Sequence, residues 1–264
     1  MTMNESMHEH IQAALRQGVR FDGRDCSAWR DLSIETGVTK SAEGSARVRC
    51  GKTDIIVGVK LSVGTPFPDS PNKGVLMVGA ELRPLAHPSF EAGPPSYEAI
   101  EVARVIDRGI RESGMINEES LCITPGEKVW IVNVDICPLN HDGNLIDLGT
   151  LGALAALKET RLPGLTDDGQ VDYEKRTDTK LELLEEPIAV TVLKIGSTFL
   201  IDPTFEEERV LDARLTVTSL SNGKICALQK GGSGTLSLDD VKKMVALAQK
   251  KSGELRKQLA SVER

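Results

Sequence analysis

The chain has 264 residues, of which 40% are hydrophobic, 27% charged and only 3% aromatic, and its formal net charge is −7. That length accommodates one large or two modest α/β cores, and the composition is that of an ordinary globular protein. The negative charge argues against nucleic acid held over the whole surface, and the shortage of rings argues against a broad platform for stacking single-stranded bases, so any nucleic-acid contact is local or completed by a partner.

Residues 3–17 read as a short amphipathic helix with Met7, Ile11, Ala14 and Leu15 on one side. This start has no apolar core of signal-peptide length, and no apolar run is long enough to span a bilayer. The expectation is a soluble, cytoplasmic protein with no membrane contact. RFDGRD at 20–25 reads as a turn. Residues 43–63 read as a hairpin: Ala46, Val48 and Cys50 alternate, Gly51-Lys52 turns, and 55–63 returns. A loop at 65–74 precedes a strand at 75–82. Ser96 caps a helix that runs to about Ser113, with Glu98 in its first turn.

The most informative stretch is 128–157, KVWIVNVDICPLNHDGNLIDLGTLGALAAL. Its nearly continuous apolar run predicts a strand covered on both faces. Residues 140–144 are turn formers. In the helix that follows, Gly149, Ala153 and Ala156 share a face and let another element come close. The acidic, turn-rich LPGLTDDGQVDYEKRTDTKLELLEE then reads as a connector. Beyond it come strands at 188–195, 198–202, 213–220 and 224–229, an acidic loop at 204–212, a hairpin turn at Asn222-Gly223, and a final helix at 238–258. The order fits an α+β protein of two packed sheet-and-helix lobes. The boundaries are an N-terminal helix and extension at 1–30, a first domain at 31–163, the connector at 164–187, and a second domain with the C-terminal helix at 188–264.

Four groups of residues have the composition of functional sites. Arg104, Arg108 and Arg111 fall on one helical face, a stripe suited to a phosphate backbone; the alternative is a solvated face neutralised by Glu101, Asp107 and Glu112. KGGSGTLSLDD at 230–240 is a Gly-rich loop running into a helix, but its lysine precedes the glycines, and Ser237 with Asp240 reads as a capping pair. The carboxylates Glu185, Glu186, Asp202, Glu206, Glu207, Glu208 and Asp212 are a conceivable cation site, against which EEE reads as solvated surface and Asp202 as a residue held by local turn hydrogen bonds. His8, His10, His87 and His141 sit in no catalytic motif, and the five cysteines form no C-x-x-C pair and read as free thiols. No cofactor and no metal is expected.

RFDGRD, SAEGSARV with GKTDIIVGV, ARVIDRGIR, the 128–157 segment, IAVTVLKIG with FLIDPTFEEE, DARLTV and LQKGGSGTLSLDDVKKMVALA occur in order from about residue 20 to 255. Together they resemble the ribonuclease PH family. PGEKVW, LNHDGNLIDLG and ARLTV after FEEE resemble one branch of it, the non-catalytic RNase PH-like subunits of the archaeal exosome ring. The resemblance implies the RNase PH fold (ribosomal protein S5 domain 2-like), with the two domains above as its two halves.

Departures from the family's motifs carry the functional expectation. Active members hold phosphate with an arginine near the start of the Arg104 helix, where this chain has Glu98. They hold it again with a Thr-Arg pair in the loop opening the next helix, where this chain reads Asn144-Leu145-Ile146-Asp147. They place an aspartate where Arg214 stands. Phosphorolysis brings an anionic nucleophile against an anionic diester, so these losses remove the preorganised charges together. The resemblance therefore implies no catalytic residue here. It implies a subunit alternating with a catalytic RNase PH-like sister in a ring of three heterodimers, capped by subunits with S1 or KH domains. In such a ring Arg104, Arg108 and Arg111 would line the path of single-stranded RNA. The competing expectations are an active phosphorolytic exoribonuclease and a nucleotide-binding kinase-like protein.

Overall fold

Alternation of Ala46, Val48 and Cys50 with partly exposed residues makes β2 (Gly44–Cys50), which turns back at once into β3 (Thr53–Gly64). In the computed structural model, which describes residues 3–166 and 168–262, this hairpin lies inside a six-stranded sheet. The other strands are β1 (Leu32–Thr36), β4 (Val75–Ala80), β5 (Cys122–Thr124) and β6 (Lys128–Asn140), in the order β1-β2-β3-β6-β4 with β5 against β6. β4 runs parallel to β6; the other pairings are antiparallel.

β6 corrects one expectation. Val129, Trp130, Val132, Val134 and Ile136 are buried, whereas Ile131, Asn133 and Cys137 are half-buried and Asp135 is exposed. The apolar run is thus covered on one face, because the helices lie on a single side of this sheet.

α2 (Tyr97–Ser113) and α3 (Leu145–Glu159) cover that side. α3 is buried almost throughout, because it packs on β2 and β3 and also meets the second sheet. That sheet has the order β10-β9-β11-β12, from β9 (Ile188–Ile195), β10 (Thr198–Ile201), β11 (Ala213–Ser219) and β12 (Ile225–Gly231), all antiparallel. The small-residue face of α3 receives side chains: a Cβ on Gly149 would lie 2.7 Å from Ile106 Cδ1, and one on Gly152 would lie 2.7 Å from Val57 Cγ2. Backbone approach occurs next to Ala156, where a Cβ on Gly44 would come within 2.3 Å of the Ala156 carbonyl oxygen.

The N-terminal helix α1 (Met3–Arg16) serves the second sheet. Ile11 and Leu15 pack with Leu193, Ile195, Leu200 and Val210 in a small separate core. The connector also differs from its reading, for 161–165 (β7) and 171–180 (β8) pair as an antiparallel hairpin. The acidic loop contains a one-turn helix, α4 (Phe205–Arg209), closed by a reciprocal cap between Thr204 and Glu207. The final helix α5 (Leu238–Val262) extends past the expected end and begins at the Ser237–Asp240 pair, each backbone N–H donating to the other side chain at 3.0 and 3.1 Å. Among the described residues no helix is long and apolar enough to cross a membrane.

Candidate nucleic-acid interface

Three distant stretches of sequence meet in one cavity of about 530 Å³. Glu98 comes from the first turn of α2, Ile146 from the first turn of α3, and Arg214 from β11; Glu101, His141, Thr191, Phe205 and Glu208 are also in the lining. The Ser96 hydroxyl caps α2 by accepting the Ala99 N–H at 3.2 Å, which fixes Glu98 at the rim. α3 starts at Asn144, whose φ is +65° and whose side chain does not cap the helix. Its N–H donates instead to Glu208 Oε1 at 2.8 Å. A carboxylate of the chain itself thus sits at the amide-rich end of α3.

The charges in this cavity are those of neither a phosphate site nor an acid–base pair. Arg209 and Arg214 both line it, and Glu101 holds the Arg214 guanidinium at 2.6 Å. Glu98 and Glu208 line the same cavity, with Glu98 Oε1 4.0 Å from His141 Nε2. Burial pushes Glu208 up to about 7, with the charge of Glu98 adding to the rise against the Asn144 N–H and Arg214. Burial and then Glu101 raise Glu98. His141, stacked on Phe90 at 5.3 Å between centroids, is pushed down to about 4 by burial, then by His87 and Arg30. It is neutral at physiological pH.

Beneath the cavity lies a junction that the sequence reading missed. Asp202 is fully buried at φ +45° and is held by distant residues. Arg30 donates to it at 2.7 Å and Arg24 at 2.9 Å, and Asn144 Nδ2 donates at 2.8 Å. Burial acts to raise its carboxyl, but the Arg30 hydrogen bond and charge hold it below the usual carboxylate range. The expected local turn bonds are not what holds it. The RFDGRD segment likewise does more than turn: Arg20, 2% exposed, grips Glu207 through two bonds of 2.9 and 2.6 Å. EEE is therefore not a solvated run, for Glu207 is buried, Glu208 half-buried and only Glu206 exposed. The Gly-rich loop is packed too: Gly234 N–H donates to the Asp212 carbonyl at 2.7 Å, and a Cβ on Gly232 would lie 2.8 Å from that oxygen. Its glycines allow backbone contact, which leaves no phosphate cradle there.

A second cavity of about 860 Å³ adjoins the first and shares Glu98, Glu101 and Arg214 with it. Its walls are the outer face of α2 and the edge of β12, with Arg104, Arg108, Arg111, Gln229 and Lys230. Of the three acids expected to neutralise the arginine stripe, Glu101 alone is engaged elsewhere, while Asp107 and Glu112 pair within the stripe. Glu101 binds Arg214, and Asp107 binds Arg111 at 2.7 Å. Arg111 also donates to the Leu76 carbonyl at 3.0 Å, which ties it to β4. Arg108 has only Glu112, at 4.0 Å, and Arg104 has no ion-pair or hydrogen-bond partner among the described residues. Two exposed guanidiniums thus stand one helical turn apart, one unpaired among the described residues and one with only a long contact to Glu112.

Comparison with known proteins fits this fold. Residues 28–163 match the model of domain 1 of the 3′ exoribonuclease family, and residues 185–251 match domain 2. The chain belongs to that family, and its fold is the RNase PH fold. Within it the chain is similar to proteins named exosome complex component Rrp42. It is 45% identical over 259 residues to that of Methanocella arvoryzae, covering 98% of this chain and 97% of the relative. It is 48% identical over 251 residues to that of Methanopyrus kandleri, covering 95% and 94%. A solved chain of the Archaeoglobus fulgidus exosome with RNA bound to the active site superposes with a TM-score of 0.89 at 40% identity, over 97% of this chain and 98% of that one. A chain of an archaeal exosome core gives 0.86 at 36% identity, over 98% of each.

Proposed function

We propose that this chain is a non-catalytic RNase PH-like subunit of an archaeal exosome, a phosphorolytic 3′–5′ exoribonuclease ring. It alternates with a catalytic sister subunit in three heterodimers, accepts caps carrying S1 or KH domains, and works in the cytoplasm. Its part is to complete the ring and to offer Arg104 and Arg108 to single-stranded RNA passing toward the sister's active site. Arg111, braced on Asp107 and β4, adds positive field and holds the helix in place.

The observation that carries this reading is the convergence of Glu98, Ile146 and Arg214 on one cavity. A phosphate ion placed there meets Glu98 and Glu208, while of the two arginines in the lining Arg214 is already paired with Glu101 and Arg209 lies over the Phe205 ring. Preorganised positive charge is the main resource of a phosphoryl-transfer site, and here Glu98, Glu101 and Glu208 share the lining with the arginines and offset it. That arrangement disfavours an active nuclease, and the packed Gly-rich loop disfavours a nucleotide-binding kinase. The purified chain is expected to leave RNA intact in phosphate buffer, with or without Mg²⁺. Release of nucleoside diphosphates that depends on phosphate, by the pure chain, would overturn the proposal.

A further inference from the structure

Tyr97 is the first residue of α2 and is 94% exposed, the most exposed large hydrophobic side chain among the described residues. Its hydroxyl has no hydrogen-bond partner and its ring no ring contact among those residues. Folding thus gives it no packing role. It also lies on the arginine stripe. Tyr97, Arg104 and Arg108 are seven and four residues apart, which places them within about 40° of one another around the helix axis. Along the axis the steps are about 10 Å from Tyr97 to Arg104 and about 6 Å from Arg104 to Arg108. All three line the 860 Å³ cavity, together with the exposed Ile100, three residues from Tyr97.

We propose that Tyr97 is a base-stacking residue for single-stranded RNA, placed so that one nucleobase lies on its ring while phosphates further along the strand meet Arg104 and Arg108. This rests on the RNA path proposed above and adds a contact to the base. The chemistry fits the occupant. Ile100 stands beside Tyr97 in the lining, and the two cations lie about two and three turns away on the same face. An aromatic face takes any of the four bases, so the contact adds affinity without sequence preference. The low aromatic content of the chain rules out an extended platform but leaves room for one ring at the end of a basic stripe.

The test uses the complex assembled with its catalytic sister and a labelled oligoadenylate, with and without an abasic site. Tyr97→Ala is expected to weaken binding of the intact strand by about 5- to 150-fold, the range for removing one stacked ring. Tyr97→Trp should bind like the parent, and the abasic strand should lose its dependence on residue 97. Because tyrosine carries no charge, the slope of log affinity against log salt should not change in Tyr97→Ala, whereas it should flatten when Arg104 and Arg108 are replaced. Equal affinity of Tyr97→Ala and parent, with a normal response to the arginine replacements, overturns the stacking and leaves the path standing. If the arginine replacements also leave the slope unchanged, the path fails as well. Loss of the assembled ring in Tyr97→Ala overturns the stacking in another way, since Tyr97 would then be a subunit contact.

Discussion

At the scale of single residues, the chain buries two aspartates with opposite consequences. Asp202 is held charged by Arg24 and Arg30, so its contribution to stability is present above the ordinary carboxylate range and is lost as pH falls. Asp147 lies in the first turn of α3, where it accepts the Thr191 N–H at 2.9 Å and the Thr191 hydroxyl at 2.6 Å. Burial pushes it up to about 7 despite those bonds, with the charge of Asp202 adding to the rise. A folded carboxyl that titrates above its unfolded value binds more protons when folded. Its contribution is full below about 3.8 and declines as pH rises toward 7. The decline is at most about 1.4 kcal/mol per pH unit. Asp147→Asn keeps a neutral group that can still accept the Thr191 N–H. Urea unfolding between pH 4 and 8 should show the parent losing stability relative to this variant across that window. Parallel curves for the two proteins would mean that Asp147 is ionised in the folded state.

At the scale of elements, β2 and α3 are held together where Gly44 meets the last turn of the helix. A Cβ at residue 44 would lie 2.2 Å from Thr160 Oγ1 and 2.3 Å from the Ala156 carbonyl oxygen, and neither backbone can yield without moving. Gly44→Ala is expected to cost about 1–3 kcal/mol, the usual range for overpacking, read as a lower urea midpoint with an unchanged m-value. A neutral result would show that the strand and helix are not so closely fitted. The same elements show what the sequence made legible. The β2–β3 hairpin, α2 with its Ser96 cap, β6 and α3 were readable because their apolar spacing and turn residues agree with their final packing. β1 was missed because it is a five-residue edge strand whose alternating apolar residues are only half-buried and which is held by pairing with β2. β8 was missed because VDYEKRTDTK is polar on both faces, and a two-stranded hairpin at the surface needs no apolar stripe. At the site, the arginine stripe followed from helical spacing, and the three charge departures followed from family motifs. Which acids neutralise which arginines did not. Glu101 could face Arg104 or Arg214 by sequence, and only the approach of β11 to α2 gives it to Arg214. Glu208 was hidden for the same reason, since its partner is Asn144, 64 residues away.

At the scale of the whole molecule, a chain of net charge −7 holds RNA only where cations are gathered and their neutralising acids are occupied elsewhere. The outer face of α2 comes nearest to both conditions, because Arg214 takes Glu101 and Arg111 takes Asp107, which leaves Arg108 only Glu112 at 4.0 Å and Arg104 no partner among the described residues. The cavity next to it, edged by Glu98 and Glu208, gives a phosphate no comparable welcome. On the reading proposed above, the two lobes form a guide without a catalytic centre, with Glu98 and Ile146 standing where the family resemblance implies phosphate-holding arginines. The measurement that bears most directly on this account is the salt dependence of single-stranded RNA binding by the assembled complex, with and without Arg104→Ala and Arg108→Ala together. Removing one cation from one phosphate flattens the log–log slope by roughly 0.7, so the pair should flatten it by about 1.4, with the ring intact and its melting temperature unchanged. An unchanged slope, with a lowered melting temperature, would contradict the account: the two arginines would then be structural, and RNA would pass elsewhere.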